Sequence, residues 1–320
     1  MIDLITMNKS GLSENEILQI FEVNHLQTNS KAGIKYFDNE QLKFKDGFYL
    51  RVETNNTARL KLECSLHKYF NHINTNRQTN YDIFSFGNSK SSIDLLTKET
   101  GIEILELKVT YYEIGLNLFL SKDCREYIDR MQTIGILDNK RPLYVNPKYK
   151  NERIKTTVFH RDIKKVHKVY DKVYEMKDKK RTDAPPDQPN ILRIETTQRR
   201  VERMTVADLL RPETITKLTD QFLKDWRTVQ FEQIMQAPKG THQRKVDLCK
   251  AIIKQGVESV LSQAREHHTT GDMTEKRFRV IREFIQNDWP TFKALLKFQK
   301  TSEEIEYRNI LNKTIKIARF

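Results

Sequence analysis

The chain is poor in the residues that mark disulfide-rich and zinc-thiolate proteins, with only three cysteines among 320 residues. Cys64, Cys124 and Cys249 are far apart and form no Cys-x-x-Cys pair, which argues against a zinc site and a disulfide framework. There is no apolar run of about 18 residues, and the opening MIDLITMNK carries an acid at Asp3, so neither a membrane span nor a signal peptide is expected. We therefore expect a soluble protein of a reducing cytoplasm.

The chain has fewer acidic than basic residues, with 43 Asp and Glu against 56 Lys and Arg, which gives a formal net charge of +13. Residues 140–181 alone hold fifteen Lys or Arg against five Asp or Glu, a surplus of ten. Such concentrated positive charge indicates a polyanionic partner, with nucleic acid first and an acidic membrane second.

Hydrophobic periodicity predicts an α+β fold. The segments MIDLITM, ARLKLECSL, YYEIGLNLFL and ILRIETTQ alternate like strands, and IKTTVFH with KVHKVYDKVYE reads as a hairpin turning through RDIKK. From about residue 205 helical patterns dominate. We expect an antiparallel-sheet catalytic domain with flanking helices over residues 1–204 and a mainly helical, possibly DNA-binding domain over residues 205–320.

Strand periodicity also predicts a polar sheet surface. In KVHKVYDKVYE, one face carries Lys168, Tyr170 and Lys172, and in the following strand Arg193 and Glu195 share a face. By the same count Tyr174 lies on the face of Tyr170, so periodicity does not choose between the two tyrosines. Glu113 and Glu63 lie on the polar faces of their own strands and can join this surface.

Several carboxylates on one face repel one another, and a divalent cation relieves that repulsion. Carboxylate oxygens suit Mg²⁺ or Mn²⁺. Beside such a metal, a tyrosine hydroxyl can attack a phosphodiester and form a covalent bond to DNA. The alternative is structural, because half-buried strand tyrosines and charges on a solvent-facing sheet are common.

Two short motifs resemble those of a known family. YDKVYE at Tyr170–Glu175 and LRIE at Leu192–Glu195 resemble the tyrosine motif and the Arg-x-Glu strand of rolling-circle replication initiators, the filamentous-phage gene II protein and the plasmid Rep-trans type. MIDLITM, LKLECSLHKYFNH and YYEIGLNL resemble further family segments in the same order, and the resemblance covers roughly residues 1–215.

The resemblance implies that Tyr170 is the nicking nucleophile and Lys172 its charged neighbour. It also implies that the metal ligands are Glu113 and Glu195 together with Glu63 or Glu175. The implied reaction cuts one strand at a replication origin, leaves a 5′-phosphotyrosyl bond and a 3′ hydroxyl, and rejoins the strand after displacement. The implied partners are origin DNA, duplex and displaced single strand, with the helicase and polymerase of a bacterial host cell, whose cytoplasm is the expected location.

Two departures from the family pattern bear on the metal site. The family's Arg-Ile-Asp is Tyr112-Glu113-Ile114 here, so the arginine is missing and the acid is longer. The His-hydrophobic-His motif of the other large initiator and relaxase class is absent, which favours a metal bound by carboxylates.

Four cations of the basic segment and its following strand are predicted to contact DNA phosphates: Lys164, Lys165, Lys168 and Arg193. The cluster KDKKR at residues 177–181 adds charge, although a solvated loop explains it as well. In the helical part, Arg277, Arg279 and Arg282 can belong to a helix-turn-helix or to an ordinary bundle. Two alternative functions remain open: a relaxase of a mobile element, and a non-catalytic protein that binds an origin or single-stranded DNA.

Overall fold

The computed structural model describes residues 1–31, 33–40, 47–54, 57–136, 139–145, 153–157, 164–178 and 189–319. The chain forms two compact units. Unit 1 consists of Met1–Phe231 together with Glu303–Phe320, and unit 2 of Glu232–Ser302. This division differs from the predicted boundary after residue 204, because the segment up to Phe231 and the last helix both belong to unit 1.

Thirteen of the fifteen described strands, β1 to β13, belong to unit 1. The described strands are β1 (Ile2–Ser10), β2 (Gln27–Lys31), β3 (Ile34–Asp38), β4 (Phe48–Glu53), β5 (Arg59–Ser65), β6 (Lys108–Phe119), β7 (Met131–Ile134), β8 (Arg141–Pro142), β9 (Tyr144–Val145), β10 (Ile154–Thr156), β11 (Lys165–Asp171), β12 (Ile191–Arg199), β13 (Gln230–Phe231), β14 (Ile234–Gln236) and β15 (Lys297–Gln299). Ten of them form one antiparallel sheet in the order β2-β3-β4-β5-β1-β6-β12-β11-β10-β9. The predicted α+β class with a large antiparallel sheet and flanking helices is confirmed.

The described helices are α1 (Glu14–Asn24), α2 (Leu66–Thr75), α3 (Phe86–Thr100), α4 (Cys124–Arg130), α5 (Lys172–Asp178), α6 (Val206–Leu209), α7 (Pro212–Arg227), α8 (Gln243–Gln255), α9 (Val257–Thr269), α10 (Glu275–Glu283), α11 (Trp289–Leu295) and α12 (Ser302–Ala318). Local capping starts several of them; Ser13 and Glu16 form a capping box before α1. Among the described residues, no helix combines the length and the apolar character that crossing a membrane requires.

The two faces of the large sheet differ in polarity because apolar and polar residues alternate along its strands. One face packs with the helices into the hydrophobic core, which includes Ile5, Met7 and Leu62 of the sheet together with Leu96 of α3 and Trp226 of α7. The other face, which we call the polar face, carries the intervening side chains of β1, β5, β6, β11 and β12.

Strand register brings the predicted site residues together on the polar face. In the β11–β12 ladder, Tyr170 pairs with Arg193 and Lys168 pairs with Glu195. On its other side β12 pairs with β6, where Thr197 lies opposite Glu113. The shared face predicted for the two motifs is therefore present in the fold.

The segment after Tyr170 departs from the expected strand. β11 ends at Asp171, and the chain continues directly as α5. The carboxylate of Asp171 accepts a hydrogen bond from the backbone N of Tyr174 at 2.9 Å, as a helix N-cap does. The prediction that Tyr174 shares a strand face with Tyr170 is therefore wrong, because the side-chain period changes from 2 to 3.6 at this point.

An irregularity in β1 changes the sheet face on which the side chain of Asp3 lies. Ile2 pairs with Ile114 of β6, but Leu4 pairs with Glu113, so two steps along β1 correspond to one step along β6. Asp3 is the extra residue of this bulge. Its carboxylate contacts Arg193 on the polar face, whereas strict alternation would place it with Ile5 on the core face.

Unit 2 has a core of its own. Helices α8 to α11 and the β14–β15 pair enclose seven buried apolar residues: Cys249, Ile252, Val260, Phe284, Ile285, Trp289 and Leu296. In the β14–β15 pair, Ile234 lies opposite Gln299, so the two ends of the unit meet in one ladder.

Candidate functional site

The centre of the site is the hydroxyl of Tyr170. Its Oη donates a hydrogen bond to Glu195 Oε1 at 2.7 Å. Both side chains are buried, and Tyr170 is only 6% exposed. The ammonium groups of Lys168 and Lys172 lie 5.6 and 5.7 Å from the centre of the Tyr170 ring. The phenol is thus held between a carboxylate and two cations.

Two cations neutralise Glu195. Arg193 Nε donates to Glu195 Oε1 at 3.0 Å, and Lys168 Nζ lies 2.6 Å from Glu195 Oε2. Arg193 also contacts the carboxylate of Asp3, and its third nitrogen donates to Asn117 Oδ1 at 3.0 Å. The guanidinium therefore uses its fork of donors to fix three side chains from three strands.

A glycine makes room for this guanidinium. Gly115 lies opposite Glu195 in the β12–β6 ladder. A Cβ atom at Gly115 would lie 2.3 Å from Arg193 Nη2 and 2.7 Å from its Cζ. Any larger residue at this position would displace Arg193, because atoms cannot approach so closely.

Three carboxylates meet beside Tyr170, and we call them the acidic cluster: Asp3, Glu113 and Glu195. One oxygen of each lies within 4.8 Å of the oxygens of the other two. Glu113 accepts hydrogen bonds from Thr197 Oγ1, at 3.0 Å, and from the hydroxyl of Tyr111. In the described part of the chain, no lysine or arginine forms an ion pair with Glu113.

The electrostatics of the cluster follow from burial and pairing. Burial raises the pKa of Glu113, and the nearby charge of Glu195 raises it further. Burial alone would also raise the pKa values of Glu195 and Asp3. The charges of Lys168 and Arg193 nevertheless hold the pKa of Glu195 below its ordinary value, and the charge of Arg193 holds the pKa of Asp3 below its ordinary value. Burial raises the pKa of Tyr170 well above its ordinary value, and Glu195 adds to the effect, so the phenol is protonated.

The acidic cluster fits a divalent cation by its chemistry. All three donors are carboxylates, the ligands that Mg²⁺ and Mn²⁺ prefer. Arg193 and Lys168 supply two positive charges against three carboxylates, which leaves the charge of Glu113 without a partner when it is ionised. Asp3, Glu113 and Glu195 are therefore the residues that would hold the metal.

Two predicted metal ligands lie outside the acidic cluster. Glu63 is on β5, and its carboxylate lies 3.2 Å from Lys61 Nζ on the same strand. Glu175 is on α5, where its carboxylate lies 3.1 Å from Lys172 Nζ. Burial lowers the pKa of Lys172, and the charge of Glu175 opposes that effect. Each of the two acids thus has a lysine as its neighbour.

The cations predicted to bind DNA have different surroundings. Lys164 is exposed and lies 3.3 Å from Glu202, and Lys165 Nζ lies 2.8 Å from Asp225 on α7. Lys168 and Arg193 belong to the site itself, where they contact Glu195. Of the predicted basic cluster at residues 177–181, residues 179–181 lie outside the described residues, as does most of the predicted hairpin turn.

Tyr174 has a different environment from Tyr170. Its side chain is 37% exposed on α5, and the guanidinium of Arg153 lies 4.8 Å from the centre of its ring. Arg153 also pairs with Asp171 at 2.8 Å. No contact joins Tyr174 to the acidic cluster among the described residues, so the two tyrosines are not equivalent.

Sequence reasoning missed three members of the site: Asp3, Asn117 and Tyr111. The bulge in β1 hides Asp3 from a strand count. Asn117 and Tyr111 are separated from Glu113 on β6 by even numbers of residues and therefore lie on the same strand face. Alternation along YYEIGLNL was the signal that could have found them.

No protein-family model matches the chain, and no curated protein matches it in sequence.

Proposed function

We propose that the chain is a metal-dependent DNA nicking and strand-transfer enzyme of the rolling-circle initiator type, with Tyr170 as its nucleophile. One observation carries the proposal: the Tyr170 hydroxyl donates at 2.7 Å to Glu195, which is itself a member of the acidic cluster. A cation held by that cluster would lie next to the phenol. This is the arrangement that tyrosine attack on a phosphodiester requires.

In the proposed reaction, Tyr170 Oη forms a bond to phosphorus and the bond from phosphorus to the 3′ oxygen breaks. The phenol proton passes along its hydrogen bond to Glu195 and from there to the leaving 3′ oxygen, which becomes a hydroxyl, so that one proton is lost and one is gained. Rejoining is the reverse attack by a 3′ hydroxyl on the phosphotyrosyl bond. Mg²⁺ or Mn²⁺, when bound, would polarise the phosphoryl oxygen and favour the phenolate.

The surrounding cations support this assignment. Lys168 and Lys172 flank the Tyr170 ring, and the charge of Arg193 opposes the rise in the pKa of Tyr170 that burial causes. Arg193 orients Glu195 and Asp3 together, and Gly115 provides the space for it. Arg193 is therefore assigned as a positioning residue and Lys168 as a neighbour of both the phenol and its proton acceptor.

A second candidate is a non-catalytic DNA-binding protein, and a specific observation favours it. Tyr170 is only 6% exposed, and Glu195 is already neutralised by Lys168 and Arg193. A buried ion network of this kind can fix the geometry of a sheet without performing any chemistry. In that case the exposed ring of Tyr174, rather than Tyr170, would meet the nucleic acid.

The test uses supercoiled plasmid carrying the DNA that flanks the gene of this protein. The full chain is incubated with the plasmid and Mn²⁺ or Mg²⁺, and open circles and protein-linked 5′ ends are measured. Tyr170→Phe should lower the covalent product by at least about a thousandfold, because the nucleophile is lost. Tyr174→Phe and the control Tyr127→Phe, whose hydroxyl contacts Glu306, should retain it.

Each other outcome has a definite meaning. If Tyr174→Phe alone removes the covalent product, the nucleophile is Tyr174. If EDTA leaves nicking unchanged, the acidic cluster does not hold a required metal. If wild-type protein binds the plasmid but forms no covalent product with any divalent cation, the non-catalytic candidate is correct.

A further inference from the structure

Unit 2 carries positive charge that its own acids do not neutralise. Residues 232–302, all of them described, include thirteen Lys or Arg and eight Asp or Glu. Only Arg279 lies within ion-pair distance of a carboxylate, at 3.9 Å from Glu283. Two of the acids face histidines instead, with Glu275 at 2.7 Å from His268 and Asp272 at 3.8 Å from His267. The remaining cations have no carboxylate at ion-pair distance, although Lys245 lies over the rings of Phe284 and Phe292 and Arg282 over that of Phe278, and their charge can attract a polyanion.

The positive charge is densest on α10. This nine-residue helix contains Lys276, Arg277, Arg279 and Arg282, and none of its side chains is fully buried. Phe278 and Ile281 are half-buried on its inner side, whereas Lys276 and Arg279, three residues apart, lie on the side turned to solvent. α9 and α10 are consecutive helices joined by the short connection at residues 270–274, and the second helix is the basic one.

The aromatic residues of unit 2 distinguish between kinds of nucleic acid. Single-strand binding relies on exposed aromatic rings on which bases stack. Unit 2 has no tyrosine, and Phe284 and Trp289 are buried in its core. Phe298 on β15 is exposed, at 45%, but it lies apart from α10 in sequence. A basic helix with little exposed aromatic surface matches duplex DNA better than a single strand.

We propose that unit 2 binds the backbone of double-stranded DNA, with α10 as the helix that meets the groove. The choice of DNA as the polyanion rests on the proposed function. The binding itself requires neither the Tyr170 hydroxyl nor the acidic cluster, so the two proposals can fail separately.

The experiment measures binding of the full chain to a fluorescent mixed-sequence 30-base-pair duplex over a range of salt concentrations. All proteins carry Tyr170→Phe and are kept in EDTA, so that no strand is cut. The test variant is Lys276→Ala/Arg279→Ala/Arg282→Ala. The matched control is Lys217→Ala/Lys224→Ala/Lys316→Ala, which removes three exposed lysines from α7 and α12 of unit 1.

We expect the test variant to bind about 100-fold more weakly at 0.15 M salt and to lower the slope of log K against log salt by about three, because three phosphate contacts are lost. The control variant should stay within about threefold of the parent. Arg279→Lys should retain most of the binding, since phosphate contacts depend chiefly on charge. Circular dichroism of the test variant should match that of the parent.

Three results with nucleic acid would overturn the inference, and a fourth with vesicles follows: equal losses in the test and control variants, no loss in the test variant, or tighter binding to a 30-nucleotide single strand than to the duplex. Stronger binding to vesicles of 30% phosphatidylserine in phosphatidylcholine than to the duplex would also overturn it and assign the surface to a membrane. If nicking fails but the duplex result holds, the proposal for Tyr170 is wrong and this one stands.

Discussion

Lys168 and Arg193 lie in the sheet site, and Lys276 and Arg279 lie on helix α10 of unit 2. Both pairs belong to a strongly basic chain, but their surroundings are opposite. The first pair is packed against Glu195 at 2.6 and 3.0 Å, whereas in the second only Arg279 approaches an acid, at 3.9 Å. The net charge of the chain does not distinguish the two pairs, but their pairing with acids does. A buried cation that is paired with a carboxylate fixes geometry, whereas an unpaired surface cation attracts a partner.

The largest expected effect comes from removing a compensated cation. Arg193→Leu should lower the free energy of unfolding of unit 1 by about 3–5 kcal/mol, because it removes the guanidinium from the buried carboxylate of Asp3 and leaves Glu195 with Lys168 alone. The matched change in unit 2, Arg279→Leu, should alter stability by no more than about 0.5 kcal/mol.

Urea unfolding can follow the two units separately, because the chain has two tryptophans, Trp226 in unit 1 and Trp289 in unit 2. Changing each in turn to Phe leaves one fluorescent reporter per protein. Equal effects of Arg193→Leu and Arg279→Leu would contradict the distinction between paired and unpaired cations.

The next effect concerns the space that Arg193 occupies. Gly115→Ala should cost about 1–3 kcal/mol, because the new Cβ would lie 2.3 Å from the guanidinium. The same change should cost less in an Arg193→Lys background, where no guanidinium is present. A double-mutant cycle in urea measures this coupling, and additive effects would show that Gly115 serves the backbone rather than Arg193.

A smaller effect, of opposite sign, is expected at Glu113. Its raised pKa means that the folded state holds the proton more tightly than the unfolded state, so the ionised form costs stability as the pH rises above 4.5. Glu113→Gln should therefore raise the metal-free unfolding free energy by about 1 kcal/mol at pH 8, with little change at pH 4.

Metal binding provides the second measurement for Glu113. Mn²⁺ should raise the melting temperature of the wild-type protein and have a smaller effect on Glu113→Gln, since one of three ligands is lost. The control is Glu63→Gln, because Glu63 contacts Lys61 outside the acidic cluster. Equal Mn²⁺ effects in the two variants would remove Glu113 from the metal site.

The smallest effect is expected where Asp225 pairs with Lys165. Although burial alone would raise the pKa of Asp225, hydrogen bonds from His167 and Lys165 lower it from 3.8 to about 2. A lowered pKa stabilises the fold above pH 4, and this contribution is lost as the pH falls from about 4 to about 2. With solvent screening it amounts to about 1 kcal/mol or less.

Asp225→Asn should therefore reduce stability at pH 6 and have little effect at pH 2. The control is Asp247→Asn on α8, whose carboxylate accepts only from the amide of Gln243 at 2.8 Å among the described contacts. Thermal unfolding at the two pH values measures both variants. A pH-independent effect of Asp225→Asn would show that packing, not charge, is what the aspartate contributes.

Period-two alternation predicted much of the site from sequence. Lys168, Tyr170, Arg193 and Glu195 share a face because β11 and β12 pair without a break in register. Alternation also placed Glu113 on the polar face of β6. Where strands are regular, the residue count alone gives the direction of each side chain.

The remaining features depend on contacts that a count along the chain does not include. Asp3 reaches the site through a bulge in β1, and the bulge is a property of the β1–β6 pairing rather than of β1 alone. Tyr174 leaves the strand face because Asp171 caps a helix. The capping preference of Asp171 competes with the strand alternation of the residues that follow it. The return of α12 to unit 1 depends on long-range packing, such as Tyr307 against Phe231.

The pairing of β14 with β15 has a practical consequence for dissecting the protein. Because Ile234 lies opposite Gln299, the two ends of unit 2 are neighbouring backbone positions, about 5 Å apart as in any antiparallel ladder. A two- or three-residue turn is long enough to bridge that distance. The helical insertion can thus be excised and the ends rejoined, which would yield a shortened chain in which the nicking proposed for Tyr170 is measured without the duplex binding proposed for unit 2.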